Sequence, residues 1–377
     1  MHKNRDRDLS IAVVVGEPSG DWIAAGAVAK LRGMNRHIRC FGIGGDHMAA
    51  AGVSLVQHIS SLTALGPVNS LKRAPLWMNA WADFRLRCKK ERPKAALLVD
   101  CPDITLPLAR ALKADGVRVL QYMGPKVWAW RKNRLRLLRE RTDMVALGFA
   151  FEKPLYDEWR VPATFVGHPL LDVPLSHNRE AVRNSLHVPG NAKVMALLPG
   201  SRASELKYHS APMLEAAVRL LRNGVVTVFA PHLDAASEQL LMQARSMGCV
   251  VWQRPVHDLL AACDGALAAS GTVTLELARA MVPMVIVYKM DKIGYWLGQQ
   301  LLDIPFVGLP NWVAGEATVP ELLQEQVTGE NLFHAAMQLF TPGEQQRQQQ
   351  ALQAVASKLG TPGAAHRVAQ MIRDWVA

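Results

Sequence analysis

Short, almost uninterrupted apolar runs recur along this 377-residue chain, and helical patterns fill most of the intervals between them. Such runs are typical of strands that are buried on both faces of a parallel sheet. Regular alternation of strands and helices predicts α/β domains with right-handed crossovers. The predicted strands are 11–15, 38–43, 95–99, 117–122, 144–147, 163–166, 193–198, 225–229, 249–252, 265–268 and 284–288. The clearest helical patterns are 21–32, 106–114, 211–222 and 234–246.

The predicted strands form two sets, and the stretch between them, 167–189, is rich in turn formers and lacks periodicity. A chain of this length is typical of two domains rather than one. The pattern therefore predicts two doubly wound domains in succession, 1–170 and 171–342. The remaining residues, 343–377, have a helical, Gln-rich pattern, and we expect them to pack on the first domain or on a partner subunit.

Positive charge is concentrated in the first half of the chain. Residues 1–170 hold 27 basic and 15 acidic side chains, whereas 171–377 hold 16 and 17. The asymmetry predicts an anionic partner for the first half only, which nucleic acid, an anionic bilayer surface or a phosphorylated substrate would each satisfy. Half of the residues are hydrophobic and a fifth are charged, so the composition excludes a globally disordered chain.

One basic stretch, 71–94, also carries aromatic side chains at helical spacing. Trp77 and Trp81 lie one turn apart, Leu71 adds apolar surface, and five basic side chains follow between 85 and 92. A helix with aromatic anchors and a basic face can lie in a membrane interface. An ordinary amphipathic helix with its aromatic side chains in the core has the same pattern, so periodicity alone leaves both interpretations open.

Ligands of open parallel α/β sheets bind beside the carboxyl ends of the strands, so the loops after predicted strands are the candidate sites. The first such loop, 16–21, includes Ser19, and its two glycines permit amides to face a ligand. It also suits a plain turn in which Asp21 caps the next helix. Asp100 follows the third strand, where a carboxylate can act as a general base, whereas Asp103 better fits a helix cap.

Two tryptophans follow the fourth predicted strand, in the segment 124–131. Tryptophans in loops are uncommon unless they pack against other residues or bind a ligand. Trp128, Trp130 and the neighbouring Arg131 therefore either contact a sugar ring or acyl chain, or belong to the core.

Two loops of the second half have features of phosphate sites. Each follows a predicted strand and opens a helix, where amides can bind anions or hydroxyls can cap the helix. The first loop adds a guanidinium that matches phosphate oxygens, and the second is followed by a carboxylate that can accept ribose hydroxyls. The candidate residues are Gly200, Ser201, Arg202, Ser270, Gly271, Thr272 and Glu276.

No motif in the sequence requires a metal ion or a cofactor. The five cysteines lack C-x-x-C spacing, which argues against a zinc ribbon or a disulfide framework and favours a reducing compartment. Patterns of zincins, P-loop NTPases and α/β-hydrolases do not occur. The charged N-terminus is unlike a signal peptide and no window suits a transmembrane helix, so we expect a soluble or peripheral protein.

Ten segments of the chain resemble, in order, the lipid-A-disaccharide synthases, the bacterial glycosyltransferases of lipid A assembly. The resemblance is nearly full length, and the order and spacing of the segments make it specific. The segments are GEPSGD (16–21), GIGG (42–45), VDCPD (99–103), GPKVWAWR (124–131), FEKPLYD (151–157), VGHPLLD (166–172), LLPGSRASE (197–205), ASGTVTLE (269–276), PMVIVYKM (283–290) and LPNWVAGE (309–316).

The resemblance implies an α/β GT-B fold, in which two doubly wound Rossmann-like domains face a cleft. The first domain is expected to bind the acceptor and the second the UDP-sugar donor. The family joins UDP-2,3-diacylglucosamine to 2,3-diacylglucosamine 1-phosphate with inversion and releases UDP. By analogy Asp100 would be the general base, and Ser19 would lie in the cleft. Arg202, the 270–272 segment and Glu276 would hold UDP, with Asn311 nearby.

The resemblance also implies a cytoplasmic protein, peripheral on the anionic surface of the inner membrane, which docks through the region 65–81. It further suggests a homodimer formed by exchange of the tail. Three features depart from the family pattern. Gly124 stands where the family commonly has Ser, and Pro67 and Pro75 interrupt the docking segment. Asp46 and His47 replace a more usual Pro-Arg after the glycine loop.

Two other hypotheses fit part of the sequence. Another UDP-sugar enzyme of the GT-B class, such as a UDP-N-acetylglucosamine epimerase, would share the second half but not the VWAWR and docking segments. A nucleic-acid-binding protein would account for the basic first half and predicts salt-dependent binding. No recognition motif accompanies that charge, so we expect no nucleic-acid partner.

Overall fold

The computed structural model describes residues 9–63, 70–176, 178–232, 236–292, 294–296 and 304–376, with residues 63 and 70–74 described by their backbone only. The chain forms two compact units. Unit 1 comprises Met1–Val173 and Leu359–Ala377, and unit 2 comprises Pro174–Lys358. Each unit contains a parallel sheet of its own.

Unit 1 is built on seven parallel strands in the order β3-β2-β1-β4-β5-β6-β7. The strands are β1 (Ser10–Val15), β2 (Arg39–Gly44), β3 (Val53–His58), β4 (Ala95–Val99), β5 (Arg118–Tyr122), β6 (Met144–Leu147) and β7 (Ala163–Phe165). Alternate residues of β1 belong to two different cores: Val13 lies in one and Val14 in the other. The two-sided burial explains the uninterrupted apolar runs in the sequence.

Helices cover both faces of this sheet. In chain order they are α1 (Pro18–Met34), α2 (Asp46–Ala50), α3 (Ile59–Thr63), α4 (Ser70–Glu91), α5 (Pro102–Ala114), α6 (Arg134–Arg141) and α7 (Lys153–Glu158). α1 packs on one face, and α4 and α5 pack on the other. The helix α4 continues through Pro75, so the expected interruption at this proline is wrong; Pro67 lies outside the described residues.

Unit 2 is built on six parallel strands in the order β10-β9-β8-β11-β12-β13. These are β8 (Val194–Leu198), β9 (Val226–Phe229), β10 (Val250–Val251), β11 (Gly265–Ala269), β12 (Met284–Tyr288) and β13 (Glu321–Leu323). Its helices are α8 (Arg179–Ser185), α9 (Ala203–Arg222), α10 (Glu238–Ser246), α11 (Val256–Leu259), α12 (Val273–Arg279), α13 (Leu309–Ala314), α14 (Gly329–Gln338) and α15 (Pro342–Lys358). Among all helices in the described ranges, none has the length and apolar character needed to cross a membrane.

The C-terminal segment divides between the units. α15 belongs to unit 2, whereas α16 (Ala364–Val376) packs along α1 in unit 1. The carboxylate of Asp172 accepts hydrogen bonds from the amides of Gly363 and Ala365 and thereby holds the start of α16. The residues 343–377, which the sequence presents as one helical tail, are thus two helices with different partners.

All eleven predicted strands are confirmed, but β3 and β13 were missed. Both lie at the edge of a sheet, where one side of the strand needs no partner. Their burial is mostly intermediate, and β13 has three residues only. The apolar signal of these strands is therefore weaker than that of the central ones.

Each sheet has one switch point, at which crossover connections leave in opposite directions. In unit 1 it lies between β1 and β4, and in unit 2 between β8 and β11. Ligands of doubly wound folds bind beside the carboxyl ends of such strands. The loops that follow these four strands are the ones in which the sequence placed Ser19, Asp100, the 200–202 segment and the 270–272 segment.

Asp21 connects the two glycine loops of unit 1. It lies inside α1 and is 3% exposed, and its carboxylate accepts the amides of Gly45 at 2.7 Å, His47 at 2.9 Å and Met48 at 3.3 Å. The prediction that Asp21 caps its own helix is wrong, because α1 begins earlier, at Pro18. Asp21 instead satisfies the first amides of α2 and fixes the loop after β2 against the loop after β1.

Replacing Asp21 with Asn should destabilise unit 1 by about 1–3 kcal/mol, because one amide N–H loses its acceptor and faces a second donor in a buried site. Thermal unfolding followed by circular dichroism measures the change. Asp46→Asn is the matched control, because the Asp46 side chain is 97% exposed and should shift stability by less than about 0.5 kcal/mol. Equal melting temperatures for the two variants would contradict this role of Asp21.

Candidate functional site

The loops after β1 and β4 touch at the switch point of unit 1. A Cβ on Gly16 would lie 2.1 Å from the Cβ of Cys101, so the close approach of the two loops requires glycine. Ser19 lies exposed in the first turn of α1, within the loop–helix junction that follows β1. The two loops therefore meet at one edge of the sheet.

Asp100 follows β4 in a strained conformation. Asp100 and Cys101 have φ values of 50° and 44°, in the left-handed region that residues other than glycine seldom adopt. Thr105 Oγ1 and Gln121 Nε2 donate to the Asp100 carbonyl oxygen at 3.0 and 3.3 Å, and Cys101 N–H donates to the Asp100 carboxylate at 2.8 Å. Burial raises the pKa of the Cys101 thiol to about 12, so a thiolate nucleophile is excluded at neutral pH.

Trp130 lies between two guanidinium groups in the loop after β5. The ring is 41% exposed, with the Arg131 and Arg134 guanidinium carbons 4.3 and 5.1 Å from its centroid. Both arginines are paired with the carboxylate of Asp103. The prediction that Asp103 caps the helix is wrong, because the N-cap of α5 is Cys101 and no side chain caps it. Asp103 instead anchors this loop, and two cations share one anion beside an exposed aromatic ring.

Trp128 lies deeper in the same loop and is partly buried. Its indole N–H donates to Glu152 at 3.1 Å, and Phe151 packs edge-on against its ring, with centroids 5.4 Å apart. Glu152 is one of the residues that sequence reasoning missed. It is part of the FEKPLYD segment, but only the folded chain shows that its side chain turns inward beside Trp128.

The local structure explains why residue 124 is a glycine. A Cβ at this position would lie 2.3 Å from the hydroxyl of the buried Tyr156. A serine in place of Gly124 would therefore require Tyr156 to move. Within the described residues this hydroxyl has no hydrogen-bond partner, so the Tyr156 ring occupies the space without gaining a polar contact.

Trp77 and Trp81 of α4 pack, partly buried, against the core of unit 1. This packing agrees with the amphipathic-helix interpretation, and contact of the partly exposed rings with a membrane stays a prediction. The exposed apolar side chains of α4 are instead Leu76, Met78 and Leu86, at 41, 69 and 65%. The side chain of Leu71 lies outside the described residues.

The loop after β8 closes around a carboxylate of its own. Glu205 accepts the amides of Ser201 at 2.7 Å and Arg202 at 3.1 Å, and it contacts the Arg202 guanidinium at 3.3 Å. Gly200 has φ 123°, and a Cβ there would lie 2.3 Å from the Glu205 carboxylate. The amides expected to face phosphate are thus occupied, whereas the Arg202 side chain is 66% exposed. The Arg-x-x-Glu spacing is the signal that could have identified this capping arrangement.

The loop after β11 is tied to a neighbouring loop. Ser270 Oγ donates to the carbonyl of Val307 at 2.7 Å, and Thr272 occupies the N-cap position of α12 without a side-chain capping bond. Ser270 and Thr272 therefore do not cap the helix, which corrects that alternative. Glu276 lies one turn further along α12, and its burial raises the pKa of the carboxyl to about 7.

Asn311 is fully buried, and its side chain is used within unit 2. Its amide nitrogen donates to the carbonyl of Val319 and to the carboxylate of Glu321, at 3.0 and 2.7 Å. Its oxygen accepts two bonds from Thr318 and one from the amide of Val319. No donor of the amide is left for a ligand. This corrects the expectation that Asn311 contacts UDP and makes it a residue that shapes the loop.

His209 joins two loops at the carboxyl edge of the unit 2 sheet, and sequence reasoning missed it. Its Nδ1 lies 2.8 Å from the carbonyl oxygen of Pro199, after β8, and its Nε2 accepts the amide of Lys289, after β12, at 3.0 Å. The amide donor fixes the neutral tautomer, because Nε2 must be unprotonated to accept it. Burial lowers the pKa of His209. A single histidine in a helical pattern gives no sequence signal for this role.

The described ranges contain no group of three His, Cys, Asp or Glu side chains that could hold a metal ion. Each unit therefore has its own candidate set of loops at the switch point of its sheet, with Asp100 in the set of unit 1 and Arg202 and Glu276 in the set of unit 2.

The two parallel sheets and their switch-point loops define a protein of the GT-B class. The calicheamicin glycosyltransferase CalG4 superposes with a TM-score of 0.63 at 15% identity and 98% coverage of both chains. Acinetobacter baumannii MurG gives 0.61 at 13% identity, covering 97% of this chain and 99% of that one. A putative UDP-N-acetylglucosamine 2-epimerase from Listeria monocytogenes gives 0.64 at 15%, covering 97% and 96%. Identities this low show the fold alone.

Sequence comparison distinguishes among these possibilities. Residues 11–374 match the family model described as lipid-A-disaccharide synthetase. The chain is 36% identical over 370 residues to the lipid-A-disaccharide synthase of Myxococcus xanthus, with 97% of both chains covered. It is 36% identical over 345 residues to that of Pseudomonas aeruginosa strain LESB58, covering 90% of this chain and 91% of the relative. The chain belongs to the lipid-A-disaccharide synthase family and is a glycosyltransferase of lipid A biosynthesis, which confirms the resemblance of the ten segments.

The neutral His209 makes the stability of unit 2 depend on pH. The unfolded imidazole binds a proton below about pH 6.5, whereas the folded one resists protonation. Between these two pKa values the unfolded state binds more protons, so the free energy of unfolding falls as the pH decreases through this range, by up to about 1.4 kcal/mol per pH unit.

We therefore expect His209→Gln to be less stable than the wild type at pH 7.5, with a difference that narrows towards pH 5. Denaturant unfolding across this range measures it. The control is His334→Gln, because the His334 side chain is 68% exposed. Parallel pH profiles for the wild type and His209→Gln would argue against this account.

Proposed function

We propose that this chain transfers the glycosyl group of UDP-2,3-diacylglucosamine to the C6 hydroxyl of 2,3-diacylglucosamine 1-phosphate. The products are a β-1′,6-linked disaccharide 1-phosphate and UDP. Family membership supports a reaction of lipid A precursors, and the switch-point loops supply the groups that this chemistry needs. Unit 1 binds the acceptor and unit 2 binds the donor.

The conformation of Asp100 is the observation that supports this mechanism most directly. A left-handed backbone, held by Thr105 and Gln121, turns a partly buried carboxylate out of the end of β4. Strain of this kind persists where the surrounding structure enforces it and is typical of functional sites. Asp100 takes the proton of the acceptor hydroxyl while the C6 oxygen bonds to the anomeric carbon of the donor. The bond from that carbon to the UDP oxygen breaks in the same step, which inverts the configuration.

The donor is held by groups of unit 2. The Arg202 guanidinium neutralises the diphosphate, which carries more charge as UDP departs. Ser270, Gly271 and Thr272 precede and open α12, whose first amides lack partners within the helix. Glu276 binds the ribose hydroxyls. With a pKa raised to about 7, its carboxyl can both donate and accept hydrogen bonds near neutral pH.

The acceptor is bound by the loop after β5. Trp128 and Trp130 provide aromatic surfaces, and Arg131 lies beside the second ring, where it can meet an anionic group. Ser19 completes the edge of the site at the start of α1. None of these roles requires a metal ion.

Two variants, one in each unit, test the proposed roles of Asp100 and Arg202. Asp100→Asn should lower kcat on the order of 10²- to 10⁴-fold while UDP binding stays unchanged, because only the base is lost. Arg202→Gln should weaken UDP binding on the order of 10- to 100-fold, because a charged hydrogen bond is lost. UDP release with both diacylated substrates and calorimetric titration with UDP measure the two effects.

The matched control for the base is Asp115→Asn. Asp115 lies at the other end of α5, with a side chain that is 48% exposed. Asp100→Asn that folds and turns over near the wild-type rate would overturn the assignment of the base. Unchanged UDP affinity in Arg202→Gln would overturn the assignment of the diphosphate site.

The exposed face of α4 suits an anionic membrane surface. Leu76, Met78 and Leu86 expose apolar surface, and Lys89 and Lys90 add positive charge near the end of the helix. Apolar insertion and attraction to anionic lipid together support peripheral binding to the cytoplasmic side of the inner membrane. A homodimer stays a prediction from the family resemblance.

The variant Met78→Gln combined with Leu86→Gln should reduce co-sedimentation with vesicles of phosphatidylglycerol and phosphatidylethanolamine several-fold, because each substitution removes apolar surface available for insertion. Met242→Gln in unit 2 is the control, since its side chain is similarly exposed at 55%. Equal sedimentation of all three proteins would exclude α4 as the docking element.

A further inference from the structure

Glu152 is a buried carboxyl that the proposed reaction does not use. It ends the 3-10 turn Ala150–Glu152, which follows β6, and is 2% exposed. Its Oε1 accepts the indole N–H of Trp128 at 3.1 Å, and the backbone of Phe149 also hydrogen-bonds to the carboxyl. Carboxyl groups are seldom fully buried, because desolvation is unfavourable unless partners compensate for it. Its position therefore calls for an explanation beyond packing.

Two contacts help to set the orientation of the Trp128 ring. One is the hydrogen bond to Glu152, and the other is the edge-on packing of Phe151, which itself stacks on Phe149 at 5.3 Å. The loop that carries Trp128 follows β5, which pairs directly with β4. Because parallel strands end at the same edge of the sheet, the ring lies one strand away from the end of β4, where Asp100 lies.

We propose that Glu152 is a positioning residue for the acceptor: by accepting the indole N–H it holds Trp128 in the orientation that contacts the acceptor sugar. The inference rests on the proposed function, in which Trp128 is an acceptor contact. Glu152 touches no reacting atom. Its loss should therefore change the use of the acceptor and leave the use of the donor unaltered. A residue that only stabilises unit 1 would not separate the two substrates in this way.

The charge state of Glu152 provides a second readout. Burial raises the pKa of its carboxyl to about 8; the hydrogen bonds to the carboxyl and the Lys126 ammonium oppose this rise, and the Asp100 carboxylate adds to it. Tyr156 is a further titratable group that faces it. The folded carboxyl is thus mostly protonated at neutral pH. Above about pH 8 it becomes a buried anion beside the proposed acceptor site, where it repels the anionic 1-phosphate of the acceptor, so we expect kcat/KM for the acceptor to fall on the alkaline side.

The test is steady-state kinetics of the full chain with both diacylated substrates, each varied in turn. Glu152→Leu should lower kcat/KM for the acceptor on the order of tenfold and leave the KM for the donor within about twofold, because one buried hydrogen bond is lost. Trp128→Phe removes the same bond and should act similarly. The double variant should be no worse than the worse single one, since the two residues act through one interaction.

The conservative variant Glu152→Gln keeps an oxygen that can accept the indole N–H. It should retain most of the acceptor specificity and lose the alkaline decline near pH 8. If Glu152→Leu does not fold, Glu152→Gln and Trp128→Phe together still test the proposed role of Glu152. Glu158→Leu, at the exposed end of α7, is the control for a carboxylate removed nearby.

Three results would overturn the inference: equal changes for donor and acceptor, multiplicative losses in the double variant, or an alkaline decline that persists in Glu152→Gln. Failure of the proposed function is a separate outcome, because the wild type would then form no disaccharide from the two substrates. If the wild type is active and every variant matches it, only the role of Glu152 is wrong.

Discussion

Parallel pairing of every strand is the constraint on which the rest of this structure depends. Parallel strands place all their carboxyl ends at one edge of each sheet, and crossover helices cover both faces. Only the loops at that edge can therefore gather side chains into a site. At the switch points, between β1 and β4 and between β8 and β11, the helices leave in opposite directions and a crevice opens. Gly16 and Cys101 approach there so closely that no side chain fits on the glycine.

Polar side chains hold these loops, since no strand ladder continues beyond the sheet edge. Asp21 and His209 bind backbone groups in buried or partly buried surroundings, where those groups would otherwise be left unpaired, and Glu205 binds the exposed amides of Ser201 and Arg202. The number of hydrogen-bond donors that a side chain has left unused also distinguishes structural residues from candidate ligand-binding residues. Asn311 has no donor left over, whereas the exposed guanidinium of Arg202 extends beyond its contact with Glu205.

The sequence predicted the features that depend on local pattern and not those that depend on distant partners. Central strands, the two-unit order and the loops that carry Asp100 and Arg202 follow from apolar runs and from where those runs end. The edge strands β3 and β13 have weaker runs because one side lacks a neighbour. The acceptor of the Lys289 amide is His209, 80 residues away, and no periodicity encodes such a pairing. Trp77 and Trp81 show the same limit, because the pattern of an amphipathic helix does not reveal which medium covers its aromatic face.

Asp100 and Glu152 lie at the same edge of the sheet, but their carboxyl groups have different proposed roles. Asp100 is partly exposed at the end of β4, where its carboxylate accepts the amide N–H of Cys101 at 2.8 Å. Glu152 is buried two strands away among aromatic rings, where burial favours the protonated form and the indole N–H of Trp128 supplies its contact. The nearby Asp100 carboxylate further favours the protonated form of Glu152. The environment of each side chain, more than its chemical identity, thus distinguishes the proposed general base from the residue proposed to orient the substrate.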